Sequence, residues 1–292
     1  MALKHRYTTQ GVHIFDRTSG VNILLDEVDL HNEPLSLAPA NVSIALTNLC
    51  NRQCRHCFAP KSSAVLNFEH LIGWVDELES NGCLGVGFGG GEPLLYPRIR
   101  EACEYVKSHT TMACTLTTNG DFLDRATMIW MKPCVNFVRV STNGGDVDLQ
   151  RIKMLAKEFP LGINYLLNKA TLPLLDVLSR RFADVGVMEM LLLPQVTTEH
   201  CEGVTKEFIQ KVDEWLLLTE LPLRVTVSSM CSHDMKSIVN IPGDAGVRQY
   251  LHISADGILK RTSVDETGVR IGDSGLISAI REVYAHEGLD WL

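Results

Sequence analysis

The chain has 292 residues, 45% of them hydrophobic and 21% charged, which is an ordinary globular balance with room for one large α/β domain plus appendages or two ordinary domains. Its formal net charge of −8, with no run of five like charges, argues against a nucleic-acid binder working through a basic patch. No segment approaches the ~20 apolar residues that span a membrane. Residues 1–7 lack a secretory apolar stretch, so a cytoplasmic location is expected, with neither nucleic acid nor membrane as partner.

In chain order, residues 12–16 and 21–25 read as short strands joined by a turn ending at Gly20. A linker with Pro34 and Pro39 follows, so 1–40 form an N-terminal hairpin and linker. From residue 41 strands and helices alternate. Strands are expected over 42–47, 83–89, 112–118, 135–141, 162–167 and 187–193, with a seventh over 223–228. Helices are expected over 68–78, about 97–107, 122–131, 147–158, 172–183 and 204–218; in the first, Leu71, Ile72, Val75 and Leu78 fall at helical spacing. Such alternation with short loops implies a parallel sheet with right-handed crossovers. Residues 41–230 thus read as an α/β unit, a partial (β/α)6 TIM-like barrel, open because closure takes eight strands. Beyond 230 come short strands over 247–253, 257–262 and 268–271, a hairpin turn at Asp256-Gly257, and a helix over 276–284. Residues 231–292 are expected to form a small separate C-terminal hairpin-and-helix extension.

Nine cysteines, an odd number in a chain too long to need staples, argue against a disulfide framework. Those at 83, 103, 114, 134, 201 and 231 are dispersed. Cys50, Cys54 and Cys57 crowd directly after the first barrel strand with the spacing C-x3-C-x2-C. Three thiolates on one loop can hold three irons of a cubane and leave the fourth iron an open position. A zinc site with His56 as fourth ligand, or cysteines that bind nothing, are the alternatives.

The second barrel strand ends in Gly87-Phe88-Gly89-Gly90-Gly91-Glu92-Pro93. Glycines there let backbone approach a ligand closely, and Glu92 can accept hydrogen bonds from an ammonium group. Thr117-Thr118-Asn119-Gly120 ends the third strand, Ser141-Thr142-Asn143-Gly144 the fourth, and Leu191 to Gln195 the sixth. Asn-Gly pairs are also ordinary turn chemistry. All these segments sit at strand C-termini, where barrel active sites gather.

The cysteine segment resembles the signature of the radical S-adenosylmethionine (SAM) superfamily, C-x3-C-x-Φ-C, with His56 at the aromatic position. Residues 90–93 resemble that family's GGEP motif. The resemblance covers about residues 42–290, strongly at these two motifs and weakly in the tail. It implies a [4Fe–4S] cluster on Cys50, Cys54 and Cys57, with SAM chelated at the free iron. It implies His56 near the adenine, Gly89, Gly90, Gly91 and Glu92 at the methionine amino group, Asn119, Ser141 and Asn143 on SAM, and the Leu193 strand end offering backbone to the adenine. The implied activity is reductive cleavage of SAM to a 5′-deoxyadenosyl radical that abstracts hydrogen from substrate.

Two departures stand out. Asn143 replaces an acidic residue, and only 145–150 precede the fourth helix, so Arg139 or Arg151 would replace the arginine that relatives place near the SAM carboxylate. Residues 243–262 and Ile271-Gly272-Asp273 resemble a SPASM or twitch extension. Gly243 and Thr262 stand where its cysteines would be, so no auxiliary cluster is expected. Cys231 is a candidate for returning a hydrogen atom to a substrate radical, or else an inert core thiol. The substrate expected first is a peptide or peptide-derived natural product undergoing maturation. The expected partners are a precursor peptide and an electron donor such as flavodoxin or ferredoxin. A small-molecule substrate (sugar, nucleoside or cofactor precursor) and a non-catalytic metal-binding module are the other readings.

Overall fold

A computed structural model describes residues 3–28, 30, 33–142, 146–195, 205–228, 235–237 and 248–289, without the side chains of 146 and 147. The barrel strands are β4 (Asn41–Thr47), β5 (Gly85–Gly90), β6 (Ala113–Thr118), β7 (Phe137–Thr142), β8 (Leu161–Leu167), β9 (Glu189–Pro194) and β10 (Arg224–Val227). Each pairs with its sequence neighbour, in parallel, in one open ten-stranded sheet. The expected seventh strand is therefore present. The crossover helices are α1 (Phe68–Ser80), α2 (Ile99–His109), α3 (Arg125–Met131), α4 (Asp146–Leu155), α5 (Leu175–Asp184) and α6 (Lys206–Leu218). Local chemistry sets their starts: the side chains of Asn67, Asp124 and Thr205 accept from the backbone of His70, Thr127 and Phe208.

Period-two alternation gives the sheet two unlike faces. Val42, Ile44, Leu46, Val86, Phe88, Leu116, Val138, Val140, Ile163 and Tyr165 lie in the main core cluster with the helices. The other face, turned to the lumen, carries Ser43, Ala45, Gly87, Gly89, Thr115, Thr117, Arg139, Ser141 and Asn164. Bulky branched residues usually fill a barrel interior. Small and polar ones here leave room inside.

The N-terminal unit is a three-stranded antiparallel sheet: β1 (Lys4–Thr8), β2 (Gly11–Asp16) and β3 (Val21–Leu25). Sequence reading missed β1 because its buried residues are Lys4, Arg6 and Thr8, which carry no apolar alternation. Arg6, 2% exposed, donates to Ala38 O at 2.6 Å, Gly82 O at 3.2 Å and Arg248 O at 3.3 Å. One guanidinium thus ties this sheet to the barrel and the tail. Arg6→Met should leave those buried carbonyls short of donors and lower stability by about 3 kcal/mol. The urea midpoint checks this; an unchanged midpoint would show that the sheet is held by its apolar contacts alone.

The tail is not the separate unit expected. β11 (Tyr250–Ile253) pairs in parallel with β4, and β12 (Ile258–Lys260) and β13 (Val269–Arg270) extend the same sheet. Leu251, Ile253, Leu259 and Ile280 join the main core, so the tail shares the barrel's hydrophobic burial. α7 (Leu276–His286) begins at Gly275, whose φ of +87° suits glycine. The Glu77 carboxylate of α1 accepts from Leu276 N at 3.0 Å and Ile277 N at 2.9 Å, completing the helix start from outside.

Candidate functional site

Because β4 to β9 are all parallel, their C-terminal ends form one rim. The cysteine loop leaves it after Thr47 and returns at Val65, which bridges back to Thr47. Leu66 N bonds Leu46 O at 2.9 Å and Asn48 N bonds Ala64 O at 2.9 Å. The loop is therefore pinned at both ends while Cys50 is half-buried and Cys54 and Cys57 are exposed. Its Arg52, Arg55 and Lys61 have no acidic neighbour between residues 48 and 68, in a chain of net charge −8.

The glycine run meets the loop's first residues. Gly91 N donates to Thr47 O at 2.7 Å and Glu92 N to Leu49 O at 2.8 Å. A Cβ on Gly90 would sit 2.3 Å from Thr47 O, and one on Gly91 2.2 Å from Leu49 O. These two glycines are demanded by close approach to the cysteine loop itself. Gly89 is different: a Cβ there would meet nothing within 4 Å, so its lumen side is open.

Glu92 is fully buried, and its carboxylate accepts from Leu94 N at 3.2 Å, Thr118 Oγ1 at 2.7 Å and Asn119 N at 2.8 Å. Burial pushes its carboxyl up from the ordinary range, against the lowering effect of these donors. Asn119 carries the connection onward: its side chain donates to Asn51 Oδ1 at 2.8 Å and, at 3.9 Å, to Cys50 Sγ. Sequence reading missed Asp121, directly after the Asn-Gly pair. Asp121 accepts from Arg52 Nε at 2.7 Å, Arg52 Nη2 at 2.5 Å and Arg151 Nη1 at 3.0 Å. The Arg52 hydrogen bond, first among these, holds its carboxyl well below the usual range. The cysteine loop, the glycine turn and the third strand end are thus one hydrogen-bonded assembly.

Of the other expected residues, His56 is half-buried on the loop, and burial lowers its pKa so that the ring is neutral near pH 7. Ser141 is exposed at the end of β7 and Leu193 half-buried at the end of β9, both on the lumen face. Asn143, Gly243 and Cys231 lie outside the described residues. Arg151 serves Asp121, while Arg139 pairs with Glu189 deeper in the lumen. The buried Cys103, Cys114 and Cys134 meet in the core around α2, and the thiol contacts from Cys114 and Cys134, with burial behind them, raise Cys103 well above an ordinary thiol pKa.

The donor set and the open space at Gly89 fit a thiolate-held cluster with a small ligand beside it. Cys50, Cys54 and Cys57 are free thiols. Among the described residues no three His, Cys, Asp or Glu side chains converge on one metal position. A cubane does not require that, since each thiolate takes a different iron.

Below the rim, Ser43 Oγ meets Tyr250 Oη at 2.5 Å and His252 Nδ1 at 2.6 Å. Burial pushes the His252 imidazole down to about 4 from the usual 6.5. As pH falls, the unfolded chain takes this proton first. The stability His252 confers is complete above about pH 6.5 and is lost as pH falls towards 4. His252→Gln should flatten that part of the stability–pH curve, read from urea midpoints; a curve of unchanged slope would remove His252 as its cause.

The family model described as Radical SAM superfamily matches residues 44–207, more than half of the chain. A stretch of 183 residues is 27% identical to the mycofactocin maturase MftC of Mycobacterium ulcerans, covering 61% of this chain and 45% of that protein. Another of 88 residues is 35% identical to the GTP 3′,8-cyclase of Chlorobaculum tepidum, covering 29% of this chain and 27% of that one. The chain spans less than half the length of these two curated relatives. In fold, it resembles Streptococcus suis SuiB bound to precursor peptide SuiA, with TM-score 0.70, 14% identity, and coverage of 94% of this chain and 86% of that one.

Proposed function

Because the chain belongs to the radical SAM superfamily, we propose that it cleaves SAM reductively at a [4Fe–4S] cluster on Cys50, Cys54 and Cys57 and abstracts hydrogen from a peptide. The observation that carries the chemistry is the rim assembly in which Glu92 and Asn119 join the glycine turn to the cysteine loop. When bound, the cluster supplies the single electron that breaks the sulfonium bond. The protein's own residues bind and orient. Glu92, buried and braced by three donors, keeps one carboxylate lone pair that would take the methionine ammonium on SAM binding, and the lumen side of Gly89 is open for a ligand. The neutral His56 ring would lie against the adenine, as the resemblance implies. Asn119 and Ser141 would contact SAM and the backbone at Leu193 its adenine, while Asn143 lies outside the described residues. Cys231 is retained as the candidate hydrogen donor.

The peptide reading is supported by the edge of β3, which among the described residues pairs only with β2. Val21, Ile23 and Leu25 are 51%, 50% and 42% exposed, with no proline or charge in the strand to guard its edge. Extended peptides add to such edges. The SuiB structure was solved with a precursor peptide. A cytoplasmic flavodoxin or ferredoxin as electron donor completes the reading; among the described residues no helix is long and apolar enough to cross a membrane. The polar lumen and the cyclase relative favour the second reading, a small-molecule substrate.

The anaerobically reconstituted protein, given a strong reductant and SAM, should release 5′-deoxyadenosine without substrate, and faster with a short peptide encoded beside its gene. Ile23→Lys should suppress the peptide's acceleration and leave the substrate-free rate alone. A protein of full iron content that releases none would refute the chemistry. Acceleration by nucleosides or sugars and not by peptides would refute the peptide reading.

A further inference from the structure

Among the described residues, two buried polar atoms on the lumen face have no hydrogen-bond partner: Arg139 Nε, a donor, and Asn164 Oδ1, an acceptor. They lie on adjacent strands. Arg139 of β7 registers with Gly162 of β8, and Asn164 stands two residues further towards the rim on the same face. Arg139 crosses over Gly162, with Nε 3.4 Å from where a Cβ on that glycine would sit, to pair with Glu189 of β9. Glu189 also pairs with Arg224 of β10. Gly162 is needed because this arginine and the Phe137 ring occupy its side-chain space. The guanidinium is thereby held in place with its Nε–H buried and unanswered. Asn164 is steadied by Ser141, its Nδ2 lying 3.5 Å from Ser141 Oγ, and its oxygen is left over.

An unpaired buried polar group costs free energy, so a donor and an acceptor left unanswered on adjacent strands of one face mark a place where a ligand group carrying both functions would be stabilised. An anion would satisfy Arg139 but face the oxygen of Asn164. Across the lumen, Tyr250, Ser43 and His252 form a hydrogen-bonded wall, and the charge of Arg139 reaches Tyr250.

We infer that Arg139 and Asn164 form a subsite that grips an amide of the substrate, Arg139 Nε–H donating to its C=O and Asn164 Oδ1 accepting its N–H. This rests on the peptide reading and gives it a location: one extended residue of the peptide lies along β7 and β8, below the rim, with its N–H towards SAM. Arg139 and Asn164 are positioning residues that set which hydrogen faces the radical source.

The test is a titration of the reconstituted, SAM-loaded protein with N-acetylglycine N-methylamide, followed by NMR, with acetate and inorganic phosphate as anionic probes. The amide should bind saturably and neither anion should compete. Asn164→Leu should weaken it about tenfold, as the loss of one buried hydrogen bond does. Asn164→Asp should hold it within about threefold, since a carboxylate still accepts an N–H. Iron content and melting temperature equal to those of the unaltered protein identify a folded variant; if Asn164→Leu fails that standard, Arg139→Lys, which keeps the charge beside Glu189 but removes Nε, should weaken the amide likewise. Amide binding indifferent to all three variants would overturn the subsite and leave the peptide reading standing. Acetate or phosphate binding that Asn164→Asp abolishes would overturn it as an anion site. No amide binding would overturn it outright, while peptide-accelerated 5′-deoxyadenosine release decides the broader reading separately.

Discussion

Replacing Cys50, Cys54 and Cys57 together with alanine should remove all iron from the anaerobically reconstituted protein, where the unaltered chain holds about four irons, the content of one cubane. The loop itself should survive, because it is pinned by the Thr47–Val65 bridge and the Leu66 N to Leu46 O bond and not by its cysteines. The melting curve of the apoprotein should therefore be unchanged. Of the other described cysteines, Cys83, Cys103, Cys114 and Cys134 are buried in the core and lined up with no loop that could open around a cluster. Iron left in the triple variant, with a cubane absorption or paramagnetic signal, would mean an auxiliary site involving the tail, and the assignment of Gly243 and Thr262 as its missing ligands would be wrong.

The second large effect is at Glu92. Glu92→Ala strands three donors inside the protein, those of Leu94 N, Thr118 Oγ1 and Asn119 N. At about 1–3 kcal/mol for each unsatisfied group, partly relieved by water entering the gap, the loss should be about 3 kcal/mol. SAM affinity should drop about tenfold or more, from loss of the ammonium contact and from the loosening of Asn119 against Cys50 and Asn51. Glu92→Gln should fall between, because its amide nitrogen cannot accept from Asn119 N while its oxygen still serves the other two. Calorimetric SAM titration and thermal melts measured together separate the two effects. Weakened SAM binding with unchanged stability would confine Glu92 to ligand contact; lowered stability with unchanged SAM binding would confine it to bracing.

What the sequence determined by itself is whatever depends on near neighbours. The alternation in 42–47 or 161–167 sorts residues onto two faces within one strand, whatever surrounds it. Asn67, Asp124 and Thr205 cap helices three residues ahead of them. The three cysteines lie on one loop, so their crowding is legible from spacing, while the choice of a cubane over zinc came from the resemblance and not from the spacing alone. The tertiary structure decided everything whose partner is distant in the chain. β1 pairs with its near neighbour β2, but its polar face can be buried only because Arg6 finds carbonyls at Ala38, Gly82 and Arg248, which no window of sequence contains together. The tail joins the barrel because β11 completes the open hydrogen-bonding edge of β4, about 200 residues earlier. Gly90 and Gly91 read locally as a ligand cradle, yet it is the carbonyls of Thr47 and Leu49 that exclude a side chain there. Arg139 and Asn164, unremarkable in sequence as a strand arginine and a strand asparagine, become a matched pair only when two strands lie side by side and leave one hydrogen-bonding atom of each unanswered.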